Sequence, residues 1–256
     1  MARCDFRTPR LYVLGDLAAG GAATPSEAGV HYLRNVLRLP AGAEVQVFNG
    51  RDGEWLARLA AVSKRETRLE ILRPLRPQPP ASPLHYAFAP IKHARLDFVV
   101  EKAVELGAVR ILPVQTDFTN SERIRQDRLQ AHAVEAAEQC GATHVPAVAD
   151  LVALDRMLAD WDAGRRILWA DESRVGAATT LAGAEPGPWA ILVGPEGGFS
   201  PAERKRLAAL AFVTVGVSLK LALFPLHVWL PNAYAYAPSW ATAFLAATAT
   251  KVAIYL

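Results

Sequence analysis

The residues best placed to do chemistry lie in one stretch, Ala190-Ile-Leu-Val-Gly-Pro-Glu-Gly-Gly-Phe-Ser-Pro-Ala-Glu203. Residues 190–193 form a short apolar run of buried-strand type. Gly194, Pro195, Gly197 and Gly198 follow as a loop whose backbone can approach a ligand, because these residues lack a β-carbon or have a fixed φ. Ser200 stands at an N-cap position, Pro201 at the first helical position, and Glu203 completes a capping box. Strand, glycine loop and helix N-terminus in this order make a place where N–H groups can hold a polar ligand. The alternative is a tight turn that binds nothing. The stretch is not a dinucleotide fingerprint, since the G-x-G-x-x-G spacing is absent. It is not a phosphate loop either, since no Gly-Lys-Ser/Thr follows.

The elements that must position this loop form an α/β pattern. Strand-like runs at 86–89, 110–114, 166–170 and 190–193 alternate with helical stretches at 94–106 and from a cap at Asn120 or Ser121 to Cys140. Such alternation argues a parallel sheet, in which ligands sit at the carboxyl ends of strands. Ala170, Asp171 and Glu172 fall at one such end, beside the glycine loop. Upstream, five prolines in residues 73–83 predict a stiff linker over 74–83. Before it, strand-like runs at 10–14, 44–48, 54–59 and 67–72, one helix near 25–38 and an Asn49-Gly50 turn signal predict a small β-barrel over residues 1–73.

Composition limits the function classes. At 52% hydrophobic and 21% charged the 256-residue chain is globular. Two cysteines imply neither a disulfide framework nor a zinc site, and no His/Cys/Asp cluster suggests a metal. A reducing, cytoplasmic setting is expected, and the first residues lack the apolar core of a signal peptide. Residues 1–76 carry 12 Lys/Arg against 8 Asp/Glu, a net of +4, and residues 77–213 carry 14 against 17, a net of −3. A basic first part suits a polyanion-contacting module, or an ordinary solvated surface.

With these residues in view, the chain resembles a known family. The loop Val193-Gly-Pro-Glu-Gly-Gly-Phe199 is similar to the signature of the knotted SPOUT methyltransferases. More closely, the chain resembles their RsmE type, which methylates N3 of a uridine in small-subunit ribosomal RNA using S-adenosylmethionine. His31-Tyr-Leu-Arg-Asn-Val-Leu-Arg-Leu-Pro-Ala-Gly42 with residues 47–50 resembles its PUA-like barrel. Residues 101–107 and 135–141 resemble the first two helices of its catalytic domain.

The resemblance implies a PUA-like β-barrel followed by a SPOUT α/β domain over residues 84–215, acting as a homodimer. Gly194, Pro195, Glu196, Gly197, Gly198, Ala170, Asp171, Glu172 and Leu219 would line the methyl-donor pocket. Arg10, Arg34, Arg38, Lys92 and Arg95 would meet RNA phosphates. Glu101, Lys102, Glu105, Glu138 and Gln139 would lie near the target base. Glu196 is the first candidate for the catalytic group, as a base or only as a brace of its loop. At Ala142 the family has an arginine, so one cationic contact is missing.

The last 43 residues depart from the pattern. They hold Lys220 and Lys251 but no acid, and seven of the chain's 21 aromatic residues. The family continues here with a second donor loop and a knot-threading helix, of which Ser218-Leu219 is a faint echo. Residues 216–256 resemble instead a piece of the proton-pumping membrane subunits of complex I and Mrp antiporters, in Lys220, Phe224-Pro-Leu-His-Val-Trp-Leu-Pro231, Ala237-Pro238 and Lys251. A chimeric reading frame or a joined assembly, with an incomplete or altered trefoil knot, is expected; the alternative is a divergent but real C-terminus. Three functions follow: an RNA methyltransferase, an RNA-binding protein that has lost donor binding, or a membrane-associated antiporter fragment.

Overall fold

A computed structural model of the chain describes residues 8–62, 67–91, 93–120, 123–171, 187–210 and 213–214. The chain forms two compact units, Met1–Ala81 with Ala133–Val145, and Ser82–His132 with Pro146–Leu256.

The first unit is a curled five-stranded sheet. Its strands are β1 (Arg10–Tyr12), β2 (Ala22–Ala23), β3 (Glu44–Phe48), β4 (Glu54–Val62) and β5 (Thr67–Arg76), in the order β1-β3-β4-β5-β2. β1 lies parallel to β3, and the other pairs are antiparallel. A bridge from Val13 to Pro25 links the ends of the sheet and carries it toward closure. The strand-like runs read in the sequence supply the core. Val45, Val47, Ala57, Leu59, Leu69 and Ile71 point inward and pack with Leu11, Val13, Leu17 and Leu33. β5 runs on to Arg76 and so takes in part of the expected proline linker. Pro74 is tolerated because β2 pairs only with Leu69 and Glu70, so beyond Ile71 β5 is an edge.

The expected helix near 25–38 splits in two. α1 (Glu27–His31) is capped by Ser26, whose Oγ accepts the Gly29 N–H. The segment Tyr32–Val36 then widens into a π-turn, with the Leu37 N–H bonded to the Tyr32 carbonyl, and Arg38 ends it at φ +53°.

The second unit is a parallel sheet with helices between its strands. In chain order it comprises β6 (Leu84–Phe88), α2 (His93–Glu105), β7 (Arg110–Gln115), the start of α3 (Gln126–Cys140), which belongs to the first unit from Ala133 on, then β8 (Ala147–Val148), β9 (Val152–Ala153), α4 (Leu154–Ala159), β10 (Arg166–Ala170), β11 (Trp189–Val193), α5 (Pro201–Leu210) and β12 (Val213–Thr214). The strand order is β12-β10-β11-β6-β7-β8, with β9 pairing β7. α3 begins several residues after the cap expected at Asn120 or Ser121. α4 and the two-residue strands carry too few residues for a period to show. Trp169, Leu192, Ile167, Val114, Phe199 and Leu207 lead the core. The second donor loop and the knot, expected after residue 215, lie outside the described residues.

Candidate active site

Strand register places the site. Ala170 pairs with Val193, Val193 with Phe88, and Phe88 with Pro113. Four neighbouring parallel strands therefore end in one row. The segments leaving that row are Asp171, the loop 194–198, Ala89 and the loop after Gln115. This is the edge where parallel sheets bind ligands.

The glycine loop is shaped by its neighbours. A β-carbon on Gly194 would stand 2.7 Å from Cε2 of Phe199, so the Phe199 ring occupies the space that any other residue would need. That ring meets Trp169 edge-on at 5.8 Å between centroids. Gly198 adopts φ +70°, which favours glycine, and donates its N–H to the Pro195 carbonyl at 2.9 Å. Pro195 and Gly198 are buried, whereas Glu196 and Gly197 form the exposed tip.

The capping box forms as read. Ser200 Oγ accepts the Glu203 N–H at 3.3 Å, and Glu203 Oε2 accepts the Ser200 N–H at 2.8 Å. A partner 86 residues away joins it. Glu203 Oε1 accepts the Asp117 N–H at 2.9 Å, and the Ser200 hydroxyl bonds Asp117 Oδ2 at 2.5 Å. Glu203, 2% exposed, thereby ties the loop after β7 to the glycine loop. Sequence reasoning missed Asp117, which carries no local signal.

The remaining candidates have definite places. Asp171 is buried, with Arg204 of α5 3.5 Å away. Ala170 ends β10. Glu172, Leu219 and Lys92 lie outside the described residues. Arg95 is exposed on α2. On the same helix Lys102 bonds Glu101 and Glu105, at 3.1 and 2.6 Å. In the first unit Arg34 is half-buried and Arg38 exposed around the π-turn.

Arg10 departs from the expectation that it meets RNA phosphates. It is 6% exposed, ion-paired to Glu54 at 2.6 Å, and stacked on Phe48. Its other nitrogens donate to the carbonyls of Ala137, Glu138 and Ala142. Arg76 bonds the same Glu54 and the Gly141 carbonyl. The two guanidiniums thus satisfy carbonyls at the C-terminal end of α3, which have no partner within the helix. Glu138 is drawn in as well, with Oε1 accepting the Tyr12 N–H at 2.8 Å. Burial pushes its carboxyl up to about 7, helped by Glu135, against the Tyr12 N–H and Arg10. Gln139 is exposed.

A curled PUA-like β-unit and a parallel α/β unit whose glycine loop stands at the carboxyl edge make up the architecture of the RNA methyltransferases with a PUA domain. The chain belongs to the RNA methyltransferase family: residues 77–220 match its RNA methyltransferase domain and residues 26–72 its PUA domain. It is 28% identical over 207 residues to the ribosomal RNA small subunit methyltransferase E of Rickettsia conorii, covering 78% of this chain and 83% of that protein. It is 27% identical to the protein of that name from Bacillus subtilis, covering 75% and 80%.

Among solved structures, the methyltransferase E of Neisseria gonorrhoeae bound to S-adenosylmethionine superposes with a TM-score of 0.73 at 26% identity, covering 81% of this chain and 88% of that one. A methyltransferase from Legionella pneumophila in complex with S-adenosylmethionine gives 0.72 at 25%, with the same coverage. Residues 194–256 also match the membrane domain of NADH:quinone oxidoreductase and Mrp antiporters. Over 49 residues the chain is 53% identical to NADH-quinone oxidoreductase subunit N of Desulforudis audaxviator, a tenth of that protein's length. Among the described residues no helix is long and apolar enough to cross a membrane, and no group of His, Cys, Asp and Glu could hold a metal ion.

Proposed function

We propose that the chain binds S-adenosylmethionine at the loop 194–198 and methylates N3 of a uridine in small-subunit ribosomal RNA. The observation that carries this reading is the glycine loop in a row of four parallel strand ends, with acids around it. Asp117, Asp171 and Glu196 stand on the segments leaving that edge. Arg204 offsets the charge of Asp171, and the carboxylates of Asp117 and Glu196 suit a cationic sulfonium. The fit extends to buried polar atoms. Gln115 Oε1, at the carboxyl end of β7, and Trp169 Nε1, on β10, have no hydrogen-bond partner among the described residues. Gln115 Oε1, at the strand end, can accept from an amine, whereas Trp169 is packed in the core against Phe199.

Bound there, S-adenosylmethionine supplies a methyl group on a sulfonium sulfur that leaves as a neutral thioether. The chain's residues do the rest. The backbone of residues 194–198 and Ala170–Asp171 would hold the donor, with Glu172 and Leu219 completing the wall. Glu196, exposed at the loop tip, would take the uracil N3 proton as the nitrogen turns nucleophilic. Arg34, Arg38, Lys92 and Arg95 would contact RNA phosphates. Holding two partners in one geometry would supply much of the acceleration. A cytoplasmic homodimer pairing through the knot region accompanies this reading, as does the division at 73, 84 and 216.

A specific observation favours a second reading, an RNA-binding protein without donor affinity. The antiporter-like match, residues 194–256, spans the stretch where the family continues with its second donor loop, and the methyltransferase match ends at residue 220. Calorimetric titration of the full chain with S-adenosylmethionine separates the two. Micromolar binding, weakened in Gly194→Ala because the new methyl meets Phe199, supports the methyltransferase. Absence of binding by protein shown to be folded overturns it in favour of the second reading.

A further inference from the structure

Phe118 has no part in the capping network and none in the core, yet its position is tightly defined. We infer that its ring is the platform on which the target nucleobase stacks beside the donor loop. The inference rests on the methyltransferase reading above and names a substrate-contacting residue for it.

Three observations carry the inference. First, Phe118 is 47% exposed, one of few large apolar side chains left open among the described residues. It stands in a polar sequence, Thr116-Asp117-Phe118-Thr119, which has no apolar periodicity to explain it. Second, it touches the donor loop. A β-carbon on Gly197 would lie 3.4 Å from Phe118 Cβ and 3.8 Å from Cγ and Cδ2, so the side chain packs on the exposed tip of residues 196–197. Third, its own loop is immobilised on both sides. The Asp117 N–H is held by Glu203 and its carboxylate by Ser200. Thr119 Oγ1 accepts the Thr116 N–H at 2.9 Å and bonds the Thr116 hydroxyl at 2.8 Å. An aromatic ring is thus presented to solvent on a rigid mount, against the loop that carries Glu196.

The chemistry fits a flat base better than an apolar protein partner. Among the described residues the exposed apolar surface here is one ring, not a patch of the several hundred Å² that a protein interface needs. Every nucleobase has a π-face that stacks on a ring of this size. Phenylalanine offers no hydrogen bond, so a stacked uracil keeps N3, O2 and O4 free in its plane for polar groups of the loop. Stacking also fixes that plane. The lone pair freed at N3 lies within it, so setting the plane sets the direction of attack.

The test uses the full chain and a single-stranded ribosomal RNA fragment carrying 5-bromouridine at the target position. Ultraviolet cross-linking with peptide mass mapping reports which residue touches that base, and fluorescence anisotropy reports affinity. Donor affinity is measured separately by calorimetry. The expected result is a cross-link at Phe118, about five- to a hundredfold weaker RNA binding in Phe118→Ala, near-normal binding in Phe118→Trp, and unchanged donor affinity in both. A cross-link elsewhere with unchanged RNA affinity in Phe118→Ala overturns the inference alone. Loss of donor affinity with RNA affinity intact also overturns it, by assigning the ring to the donor. A wild-type chain without RNA affinity overturns the functional reading and this inference with it.

Discussion

Glu203 accepts the Asp117 N–H with one carboxylate oxygen, at 2.9 Å, and the Ser200 N–H with the other, at 2.8 Å. A helix-capping residue is thereby also the tie between two loops at the carboxyl edge of the sheet. Removing the carboxylate strands two N–H groups in a buried setting. Glu203→Ala is therefore expected to lower stability by about 2 to 4 kcal/mol, read from the urea midpoint. Glu203→Gln keeps one acceptor and turns an NH₂ toward the other N–H, so it should lose less. Equal midpoints for wild type and Glu203→Ala would show that the tie contributes nothing.

Glu54 sits between two guanidiniums, 2.6 Å from Arg10 and 2.8 Å from Arg76. Its removal leaves a buried cation without its counter-charge, which costs on the order of 3–5 kcal/mol. Glu54→Gln should destabilise the first unit by about that amount. It should also speed hydrogen exchange at residues 137–142, whose carbonyls the two arginines hold. Unchanged exchange there would refute the role assigned to the pair.

Two groups give opposite pH dependence. Glu138 titrates near 7 in the folded chain because burial disfavours its charge. An acid raised from 4.5 binds its proton more tightly when folded, so its contribution to stability falls as pH rises from about 4.5 to 7. The loss is up to about 3 kcal/mol and then levels off. His85 is lowered to about 4 by burial and by Arg165 and Arg110. There the unfolded chain binds the proton more tightly, so stability rises with pH from about 4 to 6.5. Melting temperatures across pH 4–8 should show the two partly cancelling in the wild type. Glu138→Gln should leave the rising limb and His85→Gln the falling one. Parallel profiles for all three proteins would contradict both assignments.

Local signals in the sequence were enough for much of the fold. The strand-like runs at 44–48 and 67–72, the apolar runs at 166–170 and 190–193, and the Ser200/Glu203 box all appear where read, because each depends on residues a few positions apart. The expected helix at 25–38 instead widens at Tyr32–Val36 into a π-turn that buries Leu33 in the core, and ends at the left-handed Arg38, neither of which local propensity signals.

What the sequence by itself determined is therefore the strand, glycine loop and capped helix, and the family they mark. Only the tertiary structure decided that Arg10 is buried under carbonyls of a helix 127 residues away, that Asp117 completes the capping network, and that Phe118 stands exposed against Gly197. The physical reason is range. Periodicity and capping are written in neighbouring residues, whereas burial, ion pairing and exposure depend on which distant segments the folded chain brings together.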